Sequence, residues 1–135
     1  MLIDLLCCVI LFVASLFFYA NFRTGTHLEI FLQNHMPFLY FGVDAVNYSE
    51  FLTDSFPSFA WVYVFTSAMY YLWKDKTFAE KLCWYFMPFI LSIVWEGGQY
   101  FGIIGGYASA DDVLASLMAV ILVSVVHHQQ VCKTA

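Results

Sequence analysis

Between Leu82 and Ala110 the chain carries one charged side chain, Glu96, in an otherwise apolar run. A bilayer core takes roughly 20 helical residues to cross, and this run is long enough. A charge at mid-depth costs roughly 2.5–3.5 kcal/mol or more. A carboxylate kept in such a place marks the first position to examine for function.

Three further runs have the same character. Residues 2–20 are broken only by Asp4, residues 56–73 carry no charge, and residues 112–130 carry no strong charge after Asp112. The chain is 62% hydrophobic and 11% charged, whereas soluble domains are about a quarter charged. The expected fold is therefore an all-α integral membrane protein: one domain over residues 1–135, a four-transmembrane-helix bundle with spans near 2–20, 56–73, 82–104 and 112–130. The first run has no lysine or arginine at its start, so it reads as a span and not as a cleaved signal peptide.

Lysines set the expected orientation. Lys74, Lys76 and Lys81 lie between the second and third spans, Lys133 follows the fourth, and only Arg23 lies on the other side. Positive-inside bias then puts both termini and the lysine-rich loop in the cytoplasm. Glu29, Asp44, Glu50, Asp54, Asp111 and Asp112 fall on the outer side. A net charge of −5 with no basic patch excludes nucleic acid as a partner.

The segment from Asn21 to Ser55 is long for a connection and too greasy for a free loop. It is expected to fold over the outer mouth, partly helical around Ile30, Phe31 and Asn34, and to be broken at Pro37 and Gly42. Within it, His27 and His35 belong to no clear element.

Glu96 and Gln99 are three residues apart and share a helix face, which Ser92 extends by one more turn. From Leu82 to Glu96 is about 21 Å of helix, which puts the carboxylate roughly 9 Å below the outer boundary of a core of about 30 Å. Gly98, Gly102 and Gly106 recur every four residues, a small-xxx-small ridge that lets another helix approach closely. Gly105 and Gly106 are expected to end the span or turn the chain. Ser109 and Asp112 have capping-box spacing for the last span. Asp111 and Asp112 stand where a helix start favours negative charge.

The expected site is a polar pocket with Glu96 and Asp112 as candidate catalytic acids. Gln99, Asp111, Tyr100, Arg23 and Ser92 are its candidate ligand-binding residues. Burial would let Glu96 act as a general acid or base. There is no nucleophile motif or phosphate loop. No cofactor is expected, because no paired histidines face each other at depth, and no metal site has diagnostic spacing. The four cysteines show no CxxC pattern and read as small apolar residues.

Glu96-Gly97-Gly98-Gln99, the glycine turn, the acidic pair Asp111-Asp112 and the small residues from Ala115 to Ala119 together resemble the VanZ-like family of small bacterial membrane proteins. The resemblance covers roughly the second half of the chain. It departs from the family at Asp54 to Trp61, where an Asp-Lys followed by a histidine is usual. It also lacks the basic residue typical after the glutamine, and the asparagine and glycine usual in the last span. The resemblance implies a cell-envelope protein of the bacterial inner membrane, some members being linked to glycopeptide antibiotic resistance, and supplies no reaction. Membrane lipids and an amphiphilic or lipid-linked ligand are the expected partners. The alternatives are a non-enzymatic membrane subunit or assembly partner of a larger envelope complex, with a homo-oligomer or a membrane-protein partner, or a small oligomeric proton- or cation-coupled transporter.

Overall fold

A computed structural model describes the backbone of residues 2–22, 27–39 and 55–134, and side chains over 4–21, 30–38 and 55–127. Among these residues five α-helices follow in order: α1 (Leu2–Phe22), α2 (His27–His35), α3 (Phe56–Trp73), α4 (Phe78–Tyr100) and α5 (Ala110–Thr134). A 3₁₀ turn, Pro37–Leu39, follows α2. There is no strand among the described residues.

Among the described residues, three helices are long and apolar enough to cross a membrane: Asp4–Asn21 within α1, α4, and Ala110–His127 within α5. Helix α3 forms over the residues expected for the second span, with 18 residues and no charged side chain, but is not among these three. Pro57, Ser58, Thr66 and Ser67, with two tryptophans and three tyrosines, dilute its aliphatic content.

The chain divides into two compact units, Met1–Pro57 and Ser58–Ala135. In the first, α2 packs against α1. Near the end of α1 the Asn21 amide donates to the Phe17 carbonyl one turn back, at 3.0 Å. His27 and His35, which the sequence left on no element, are the two ends of α2. The His35 ring stacks on Phe31, centroids 4.6 Å apart. Pro37 lacks the N–H that would continue α2, and the helix gives way there to the 3₁₀ turn. Gly42, the other expected breaker, lies outside the described residues.

In the second unit α4 packs against α5. Two boundaries of α4 differ from expectation. The helix starts at Phe78, not Leu82, because Thr77 and Glu80 form a complete capping box. It ends at Tyr100, not Ile104. The Ile103 N–H bonds the Gly98 carbonyl at 2.8 Å and the Gly102 N–H bonds Gln99 at 3.0 Å, while Gly102 takes φ +69°. That pairing is a Schellman motif with glycine at its left-handed position.

The glycine ridge is accordingly not a helix interface. Gly102 and Gly106 lie beyond the end of α4, and the space beside Gly98 is filled by Ile104 of the following turn. Contact of α4 with α5 runs instead through Ser116, which meets Ser92 and is buried together with its neighbours Ala115 and Ala119. With Asp112, Val120, Val123 and His127 they form one buried stripe along α5, at the spacing of a single helix face. Leu82, Ile90, Leu91 and Val94 point outward from α4 and are exposed. An apolar face of this extent is what lipid, not water, accommodates.

Candidate functional site

The α4–α5 pair is joined by a ladder of polar contacts. At one end the Tyr85 hydroxyl donates to the Val120 carbonyl at 2.9 Å and lies 2.6 Å from Ser124 Oγ. About two turns further along α4, Ser92 Oγ meets Ser116 Oγ at 2.8 Å. Beyond that, Glu96 Oε2 accepts the Ser109 backbone N–H at 3.0 Å. The helices are therefore antiparallel, with Ser92 level with Ser116. One turn onward, Glu96 comes level with Asp112, which is one turn back from Ser116.

Glu96 is half-buried and turned toward the start of α5. Its bond to Ser109 changes the expected capping box. Ser109 does cap α5, but its hydroxyl accepts from the Asp111 N–H, at 3.2 Å. Its own N–H goes to Glu96, the place a third-residue acid such as Asp112 would fill in a local box. Thus a carboxylate from the preceding helix completes the cap.

Gln99 belongs to the same cluster. With its amide oriented to satisfy both ends, the nitrogen donates to Glu96 Oε2 and to the Tyr107 carbonyl, each at 3.2 Å. The oxygen accepts from the Trp95 indole N–H, also at 3.2 Å. Gly106 makes room for this. It has φ +134°, and a Cβ there would run into the Gln99 amide. The turn thus wraps around Gln99, while Gln99 steadies Glu96.

Asp112 is 2% exposed, in the first turn of α5. Carboxylates near a helix start are favoured by the unpaired N–H groups there, which offsets the repulsion between two acids at one height. Such a group of acceptors suits a hydroxyl, amide or cationic group of a ligand, or a shared proton.

Five of the expected site residues thus lie around the α4–α5 turn, and two of these do not join the cluster by their side chains. Glu96 and Gln99 come together, Asp112 stands level with Glu96 on α5, and Ser92 one turn away meets Ser116. Asp111 is exposed and contributes its backbone N–H to the cap. Tyr100 is 77% exposed and meets only the ring of Phe101 edge-on among its described ring contacts. Arg23 lies outside the described residues. Helix α4 places Glu96 one turn before its C-terminal end, roughly 27 Å from Phe78 at about 1.5 Å per residue.

The polar groups at the other end of the pair were not singled out from sequence. His127 is buried and stacks on Tyr70, centroids 3.9 Å apart and planes 12° from parallel. It sits on the same α5 face as Asp112 and Ser116, and that periodicity is the signal that finds it. A cleft of about 280 Å³ opens there, lined by Tyr70, Lys81, Tyr85, Ser124 and His127 among others. No group of three or more potential metal ligands occurs among the described residues. No family model, curated protein or solved structure matches the chain.

Proposed function

We propose that this chain is a four-span protein of the bacterial inner membrane, VanZ-like in its second half, that binds a lipid-linked or amphiphilic envelope molecule at the Glu96 cluster near the outer face. On this reading α3 is the fourth span, the bundle of four helices has both termini in the cytoplasm, and the α4–α5 turn opens outward. The observation that carries the reading is the carboxylate of Glu96, held by Ser109 and Gln99 and level with buried Asp112. An ionisable group turned into protein within an apolar helix pair is costly, and such groups mark binding sites and proton paths. Glu96 and Asp112 would bind the ligand's polar group or hold a proton for it, Gln99 would orient Glu96, and the exposed apolar face of α4 would lie against acyl chains.

A second reading has its own support. The bond from the Ser109 N–H to Glu96 gives the carboxylate a task in the fold, as expected of a non-enzymatic membrane subunit. Glu96→Gln and Gln99→Ala separate the two when scored for assembly in detergent and for a cell-envelope phenotype. Loss of phenotype with assembly intact supports the binding site. Loss of assembly, or an unchanged phenotype, supports the structural role.

A further inference from the structure

We infer that the cleft at the far end of α4 from Glu96 binds an anionic glycerophospholipid, with an acyl chain inside it and the phosphate at Lys81. The inference rests on the membrane placement proposed above but concerns a different site. The cleft, about 280 Å³, falls just under the ~300 Å³ at which small-molecule pockets begin. It suits a length of alkyl chain better than a whole compact ligand. Met69, Trp73, Phe78 and Leu82 supply apolar walls, and Lys81 stands among them.

The position along the helices fits a headgroup. Trp73 and Trp84 stack at 4.5 Å, 12° from parallel, across the turn joining α3 to α4, and paired indoles of this kind belong at the membrane–water boundary. The turn is also where the chain concentrates cations. Overall charge is −5, yet Lys74, Lys76 and Lys81 fall within eight residues. Asp75 and Glu80 share that stretch, but neither lines the cleft. The Glu80 carboxylate is taken up by the Thr77 N–H and hydroxyl, at 3.1 and 2.8 Å. Lysine is left to face the cleft, and basic residues beside a bilayer attract anionic lipid.

Tryptophan quenching tests this on the full chain. A Trp61→Phe, Trp95→Phe variant leaves Trp73 and Trp84 as the only indoles. It is reconstituted in phosphatidylcholine nanodiscs with brominated phosphatidylglycerol or brominated phosphatidylcholine at equal mole fraction. Stronger quenching by phosphatidylglycerol is expected, with the preference reduced about fivefold by Lys81→Gln and kept by Lys81→Arg. Helical circular dichroism confirms folding. If Lys81→Gln does not fold, Lys81→Met, which keeps an apolar stem against the cleft wall and removes the charge, carries the same expectation. Equal quenching by the two lipids, or a preference untouched by the lysine changes, overturns the inference while leaving the membrane placement intact. No quenching by either lipid overturns both.

Discussion

Glu96 on α4 accepts the backbone N–H of Ser109, the residue that caps α5, at 3.0 Å. One hydrogen bond thus links the last turns of one helix to the cap of the next, across the reversal of the chain. The acid is an architectural part and a candidate binding group at once, so its substitutions must be chosen to separate the two.

Glu96→Gln keeps an oxygen that can accept from Ser109 and removes the charge. Glu96→Ala removes the acceptor. We expect the glutamine variant to melt close to wild type in detergent. The alanine variant should lose about 1–2 kcal/mol, the usual cost of stripping the partner from a part-buried N–H. Equal melting of the two would show that the bond contributes nothing to the fold.

The glycines of the turn divide by environment. Gly106→Ala must both adopt φ +134° and push against the Gln99 amide, so a loss of at least 1 kcal/mol is expected, about what one strained backbone position costs. Gly97 is helical with open space at its Cβ position, and Gly97→Ala should stabilise by about 0.5–1 kcal/mol through helix propensity. Thermal melts of the two variants in one detergent give the comparison.

Ser92 and Ser116 allow a double-mutant cycle. Their 2.8 Å contact crosses the α4–α5 interface, and Ser116 is fully buried. A coupling near 0.6 kcal/mol, the average for such bonds between membrane helices, is expected from Ser92→Ala, Ser116→Ala and the double variant. Additive effects would place the two hydroxyls out of contact.

Much of this architecture could be read from apolar runs. Helix α3 occupies 56–73 as expected, and α1 exceeds its expected range by two residues at most. Helix α4 was harder, for local reasons. Thr77-Phe78-Ala79-Glu80 is a capping box hidden among lysines, so the helix starts before the uncharged run does. Gly102 reads as one step in a ridge of glycines until its positive φ shows it to be a C-terminal cap. Glu96 and Gln99 are visible as neighbours on one face because the helix period requires it. The link from Glu96 to Ser109 is not, since it depends on how tightly the turn folds back. The level of Asp112 likewise follows only once Ser92 is seen against Ser116. The α5 face that carries Asp112 and Ser116 points to His127 as well, but its ring partners Tyr70 and Tyr71 come from another helix and are not legible in α5.

The most direct measurement compares the lipids that copurify with wild-type protein and with the Glu96→Gln and Asp112→Asn variants, quantified by mass spectrometry after gentle extraction. The account expects the wild type to retain a lipid-linked or amphiphilic species that both variants lose while their melting temperatures stay close to wild type. Identical lipid inventories in all three folded proteins would contradict it.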